Sequence, residues 1–297
     1  MSSNQIPGKF RIWFLATRPR TLTAAVAPVF VGSALAFKAK CFDLPAAIIC
    51  LGFALLIQIG TNFANDYFDF IKGTDGENRV GPKRAVASVW VSARAMRSAT
   101  ALVFIAAFIL GLGLVSRGGP WMIVVGLSSI LCGVLYTAGP YALAYLGLGD
   151  LFVFIFFGLV AVDCTYFVQT RHLSLDALLA AIPLGLLASN ILVVNNYRDM
   201  ESDAISGKRT LVVRFGRNFS LAQYALSLLG SFLVPILLWR MGYSAIVLLP
   251  LLLAPLAASH FKRLRDSKNP QEQIVLLGDT GKLLALFAIL FSVGVAL

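Results

Sequence analysis

The chain has 297 residues, 58% of them hydrophobic, and only 39 carry a charge. An ordinary soluble domain is about 45–50% apolar and about 25% charged, so this chain has roughly half the ions that a soluble surface uses. That excludes a soluble enzyme, a disordered chain and a disulfide scaffold, and it removes the net charge of +11 as a sign of nucleic-acid binding. The composition predicts an all-α polytopic membrane protein, with the bilayer as its partner and residues 1–297 forming a single transmembrane bundle.

Lys9, Arg11, Arg18 and Arg20 precede the first apolar run, Leu22–Phe37, which no small-residue cleavage pattern follows. It reads as a retained first span, not a signal peptide. A spanning helix needs about 20 mostly apolar residues. That ruler predicts nine spans: Leu22–Phe37, Leu44–Asn65, Met96–Ser116, Trp121–Thr137, Leu151–Thr170, Leu175–Asn196, Leu221–Trp239, Ser244–His260 and Ile274–Leu297. The prolines inside them are tolerated because neighbouring helices re-satisfy the freed carbonyls. Cys41, Cys50, Cys132 and Cys164 lack metal or redox spacing and read as small buried hydrophobes.

With a cytoplasmic N-terminus, 20 of the 25 Lys and Arg residues fall on one side of this nine-span arrangement and 5 on the other. Such a split orients the bundle by the positive-inside rule and accounts for much of the net charge as topology. It predicts a multi-pass protein of the inner (plasma) membrane.

Seven of the 14 carboxylates sit in two short stretches at predicted cytoplasmic helix ends. Asp66, Asp69, Asp75 and Glu77 follow the second span; Asp199, Glu201 and Asp203 follow the sixth. Ionisable residues beside the membrane core are costly and mark function by default. The stretches match at an offset of 130 residues: Asn65-xxx-Asp69-xxx-Gly73 aligns with Asn195-xxx-Asp199-xxx-Asp203. This suggests two related halves, about 1–140 and 141–297. A four-residue step places two oxygen groups on one helix face, as for Asn65 with Asp69 and Asp199 with Asp203. Oxygen ligands without His or Cys select a hard cation, and magnesium usually combines one or two carboxylates with substrate phosphates. Arg79, Lys83 and Arg84 beside the first stretch, and Arg198 and Lys208 beside the second, then serve phosphate oxygens.

These residues resemble the UbiA superfamily of intramembrane aromatic prenyltransferases. The longer strings 62–69 (NFANDYFD), Lys72-Gly-Thr-Asp75, Arg79-Val-Gly-Pro82, Tyr136-Thr137 with Gly147-Leu-Gly-Asp150, and 207–216 (GKRTLVVRFG) resemble its 1,4-dihydroxy-2-naphthoate branch, and the similarity runs from Arg18 to the last span. The resemblance implies a nine-helix fold around a lipid-facing cavity, with Mg2+ ions holding a polyprenyl diphosphate. It implies that the prenyl cation is captured by 1,4-dihydroxy-2-naphthoate, whose carboxylate leaves as carbon dioxide. On it, Asn65, Asp69, Asp199 and Asp203 are metal ligands, with Asp75 a further candidate because Gly73 replaces the acid that many members carry. Asp66, Asp69, Asp199, Asp203 and Tyr136 are catalytic, and Arg18 steers the acceptor carboxylate or anchors the first span. Tyr67 and Tyr197 are further candidates for facing the cation.

Ser88-Val89-Trp90, Tyr141 and the Asp279/Lys282 pair depart from the family pattern and bear on acceptor choice. Two competing expectations are a UbiA-type enzyme using another acceptor, such as 4-hydroxybenzoate, and a secondary transporter built from the two halves. A third, phosphoalcohol transfer from CDP-lipids, expects all its acids in one stretch.

Overall fold

A computed structural model describes residues 7–74 and 81–297, so Asp75 and Arg79 lie outside the described residues. Among the described residues every regular element is helical. In chain order these are α1 (Lys9–Ala16), α2 (Thr23–Lys38), α3 (Leu44–Ile71), α4 (Ala93–Leu112) and α5 (Trp121–Leu135), followed by α6 (Gly149–Thr170), α7 (Leu175–Ile205), α8 (Leu211–Arg240), α9 (Ala245–Asp266) and α10 (Pro270–Ala296).

Seven of them, α3, α4 and α6 to α10, are long and apolar enough to cross a membrane by length and composition. The segment Lys9–Thr21 and α2 meet the same criterion together, bent by 54°, which makes eight. The remaining expected span, α5, has 15 residues and falls short of the ruler. Pro120 bounds it at one end, and at the other Gly139 (φ +77°) turns the chain ahead of Pro140.

Boundaries also depart from expectation where proline and glycine intervene. The predicted span Ser244–His260 opens as a 3-10 helix, Ala245–Leu253, and continues as α-helix to Asp266. Pro250 and Pro255 remove two amide donors there, and the 3-10 rise of about 2.0 Å per residue carries the chain further across the bilayer. α8 starts ten residues before its predicted apolar run because Gly216 (φ +82°) joins a short helix, 211–215, to the span. α3 and α7 continue past their apolar runs, so Asp66 and Asp69 and the second acidic stretch are helical.

α7 is the most buried span and the centre of the molecule. Ala, Val and Leu side chains of α2, α7, α8 and α10 form the main core around it, including Val31, Leu184, Leu187, Leu238 and Phe287. α6 reaches α7 through glycines: a Cβ at Gly158 would stand 2.8 Å from the Cα of Gly185 and 2.9 Å from the carbonyl of Ala181. Such close approach gains van der Waals contact where lipid supplies no hydrophobic drive. Next to it, 155–160 forms a π turn, which rotates the cavity-facing Phe156, Phe157 and Val160 relative to a regular helix.

α3 and α7 start at the same end of the bundle. Asp43 caps α3 by accepting from Ala46 N–H (3.0 Å), and Ser174 caps α7 by accepting from Asp176 N–H. Arg117 Nε donates to Asp43 Oδ2 at 2.6 Å, Asp43 N–H donates to Gln169, and Gln169 donates to Ser33, fastening α2, α3, α6 and the turn after α4. The bond from Arg117, with that from Ala46 N–H, holds the Asp43 carboxyl below the usual aspartate range. Asp66, Asp69 and the second acidic stretch therefore lie at the opposite end. The expected i, i+3 pair is present, Lys282 Nζ at 3.1 Å from Asp279, which also accepts from Arg263 at 2.9 Å.

Candidate active site

Asn65, Asp66 and Asp69 occupy the last two turns of α3. The four-residue step puts Asn65 and Asp69 on one face, and both line a cavity of about 570 Å³ enclosed by α2, α3, α5, α6 and α7. Asp66 lies a third of a turn away, outside the lining. Its carboxylate accepts from Ala85 N–H (3.0 Å) and Val86 N–H (3.2 Å), which clamps the segment after the first acidic stretch onto α3. The clamp positions Arg84, whose guanidinium is 2.8 Å from Asp69 Oδ2 and donates to the Asn65 carbonyl at 2.6 Å.

On α7 the second stretch is arranged differently. Buried Arg198 holds Asp199 with two bonds, 2.7 and 2.6 Å, and also donates to Asn195 Oδ1 at 2.9 Å. After α7, Gly207 (φ +76°) reverses the chain, and Lys208 N–H donates to the Asp203 carbonyl at 2.8 Å. The turn sends the Lys208 ammonium back over the helix end, 3.4 Å from Asp69 Oδ1 and 4.0 Å from Asp203 Oδ1. Two stretches far apart in sequence thus converge on one lysine.

Tyr145 completes this end and was not singled out from sequence. Its hydroxyl donates to Asp69 Oδ1 (3.3 Å) or Thr74 (3.4 Å), and its ring lies between the ammonium groups of Lys72 and Lys208, 4.1 and 5.2 Å from the centroid. Arg209 N–H and Arg214 hold the surrounding loop through the carbonyls of Tyr145 and Leu146. Burial pushes the Tyr145 phenol up to about 12, helped by the Asp69 charge, so it remains a donor at neutral pH. Its only sequence signal was a position inside the Tyr136-to-Asp150 string.

The expected residues divide clearly. Asn65, Asp69, Arg84, Asp199, Asp203 and Lys208 gather at the polar end of the cavity, and Arg18 and Tyr136 also line it. Lys83 is exposed and outside the lining. Three of the expected residues have protein partners in this structure. Asp66 accepts from the amides of Ala85 and Val86; Arg198 donates to Asp199 and Asn195; and the Asn65 amide oxygen accepts the Thr137 hydroxyl. Tyr67 and Tyr197 also stand outside the lining: Tyr67 packs beside Phe68, and Tyr197 is core under Arg217. Val89 takes φ +58° at an 88% exposed loop tip, a strained conformation for a β-branched residue, and Tyr141 is exposed.

From the acidic end the cavity runs past Phe53, Phe152 and Phe156 to an apolar floor at Val29, Cys50, Leu114 and Met122. Among the described residues no three His, Cys, Asp or Glu side chains form a complete metal site. Asp69, Asp199 and Asp203 are hard oxygen donors at the mouth of one cavity, which fits a magnesium ion that takes its remaining ligands from phosphate and water.

A membrane-embedded helical bundle whose carboxylates and cations cap a long apolar cavity is an enzyme for a substrate with an anionic head and a hydrocarbon tail. Residues 25–295 match the model of the UbiA prenyltransferase family, and the chain belongs to that family. It is 35% identical to 1,4-dihydroxy-2-naphthoate octaprenyltransferase of Haemophilus influenzae, over 99% of this chain and 98% of that protein. The identity to the protein of the same name from Escherichia coli is 34%, covering 100% and 98%. Among solved structures, the UbiA homologue from Archaeoglobus fulgidus bound to GPP and Mg2+ superposes with a TM-score of 0.68 at 16% identity, covering 96% of this chain and 99% of that one.

Proposed function

We propose that this protein transfers a polyprenyl group from a polyprenyl diphosphate to 1,4-dihydroxy-2-naphthoate, with loss of the carboxylate as carbon dioxide and release of diphosphate, giving the quinol form of demethylmenaquinone. The observation that carries the reading is the convergence of Asp69 and Asp203 on Lys208 at the polar mouth of an otherwise apolar cavity. The names of the full-length relatives support the acceptor.

The residues divide the work by chemistry. Asp69, Asp199 and Asp203 would hold magnesium, which when bound neutralises charge on the diphosphate. Arg84 and Lys208, now paired with Asp69, have donors to offer phosphate oxygens as the allylic carbon–oxygen bond breaks. Arg198 orients Asp199 through two hydrogen bonds. The apolar wall takes the prenyl chain and keeps water from the cation, and the Tyr136 ring offers it a π face. Arg18, on the same wall, suits the acceptor carboxylate.

The decisive experiment incubates purified protein with prenyl diphosphates and either dihydroxynaphthoate or 4-hydroxybenzoate, with magnesium or EDTA. Magnesium-dependent product from the naphthoate alone is expected; product only from 4-hydroxybenzoate sinks the acceptor assignment. The same reading includes two related halves, nine crossings with α5 as a short span, and the acidic end facing the cytoplasm. Cys41, exposed at the Asp43–Arg117 end, reports on orientation: an impermeant maleimide added outside intact spheroplasts should label it.

A further inference from the structure

Behind the cavity wall lies a second, much smaller space, lined by Tyr136, Ala144, Gly147, Gly149, Asp150, Asn196 and Thr210. Tyr136, Ala144, Asn196 and Thr210 also line the main cavity, so one layer of side chains separates the two. The small space offers about 10 Å³ to the centre of a water-sized sphere, close to what one water needs. Its walls carry the two to four polar partners that a buried water uses.

Two groups here stand apart from the diphosphate end of the cavity. Thr210 is 5% exposed, and although it stands at the N-terminus of α8 its hydroxyl caps nothing and has no hydrogen-bond partner. Asp150, 8% exposed in the first turn of α6, accepts from Gln223 Nε2 at 2.9 Å. An aspartate buried beside neutral partners is costly unless it has a task. Tyr136 spans the wall: its hydroxyl packs so near Gly149 that a Cβ there would stand 3.1 Å from it.

We propose that Asp150, through a water bound between Tyr136, Asn196 and Thr210, is the proton store for the acceptor's hydroxyl. The inference rests on the proposed reaction. As the ring carbon bonds to the prenyl cation, the adjacent O–H bond breaks and its electron pair forms the ring carbonyl. That proton passes to the Tyr136 oxygen, the Tyr136 proton to the water, and a water proton to Asp150. The intermediate is a β-keto acid anion. When its carboxylate leaves as carbon dioxide, the released electron pair forms the enolate, and the proton returns along the same path. No proton is gained or lost overall, which suits a dead-end buried store. The groups beside the Asp150 carboxylate are neutral: Gln223 from α8 donates to it and Asn196 from α7 lines the same space, with Tyr136 the titratable partner, while Ser189 donates to the Asp150 backbone carbonyl. The cation of this corner, Arg214, is tied to the carbonyls of Leu146 and Arg209.

Asp150→Asn should cut kcat by about 10²–10⁴-fold. It should also abolish the acid limb of the kcat–pH profile, leaving magnesium-dependent binding of prenyl diphosphate unchanged. Thr210→Val leaves every charge in place and removes the hydroxyl that holds the water. It should also slow turnover, and the double variant should be no slower than Asp150→Asn alone, as for groups acting in one chain. A retained acid limb in Asp150→Asn, multiplying losses in the double variant, or full activity in Thr210→Val overturns the proposal. If wild-type protein prenylates a different phenol, the acceptor assignment falls and the same variants are compared on that phenol. In a single turnover with magnesium, a prenyl diphosphate and dihydroxynaphthoate, a transient infrared band of a protonated carboxyl should appear before carbon dioxide is released, and Asp150→Asn should remove it. Product without that band in wild type refutes the store, whereas no product from dihydroxynaphthoate refutes the acceptor assignment.

Discussion

Neighbouring aspartates on one helix turn have different jobs here. Asp69 is 1% exposed and faces Arg84, Lys208 and Tyr145 at the cavity mouth, whereas Asp66 binds the amides of Ala85 and Val86. Asp69→Asn should therefore lower kcat by about 10²–10³-fold with little change in melting temperature. Asp66→Asn should instead destabilise by about 1–3 kcal/mol and reduce turnover less, because the donors of a fold contact lose a charged acceptor. Steady-state rates and thermal melting of both variants in detergent check the contrast. On the sequence both acids counted as catalytic, since sequence reveals which residues share a face but not which face meets the cavity. Tyr145 carries a pH consequence. Its phenol is raised from an ordinary value of 10 to about 12, so between those values the folded state holds a proton that the unfolded state has released. Its contribution to stability is full below pH 10 and is lost as pH rises to about 12. Melting curves should fall more steeply over that window for wild type than for Tyr145→Phe.

Elements set where these side chains meet. α3 and α7 each run from a capped end beside Arg117 and Gln169 to an acidic end, and their parallel course brings residues 65–69 level with 199–203. Their apolar faces were legible as runs of hydrophobic residues, and the segments from Asn65 to Asp69 and from Asp199 to Asp203 as helical by the four-residue step. The 3-10 opening of α9, the π turn of α6 and the 54° bend before α2 were not, since each depends on where prolines and glycines meet neighbouring helices. The α6–α7 contact shows how narrow the tolerance is. Gly158→Ala would place a methyl against the backbone of Gly185 and Ala181, which no rotamer change relieves. A loss of about 1–3 kcal/mol is expected, with a lower melting midpoint and altered reactivity of the cavity-lining Cys164 toward small thiol reagents.

At the scale of the whole molecule, one end of the cavity is ionic and the other apolar, and depth becomes a measure of tail length. Met122→Trp at the floor should shorten the prenyl diphosphate that is turned over fastest, read from product profiles with a series of chain lengths; an unchanged profile would place the tail elsewhere. The sequence by itself determined the environment, the helical class and the two acidic stretches, because scarcity of charge, apolar length and four-residue spacing are local properties that hold in any arrangement. It also carried the family resemblance, through strings spread over the whole chain. Tertiary packing settles that Asp69 and Asp203 share Lys208, that Arg198 binds Asp199, that Asp66 holds a loop, that Tyr145 meets Asp69, and that Asp150 lies behind Tyr136. Those outcomes follow from helix rotation and close packing between distant segments. A buried charge takes the nearest geometrically suitable partner, and that partner is a property of the packed bundle.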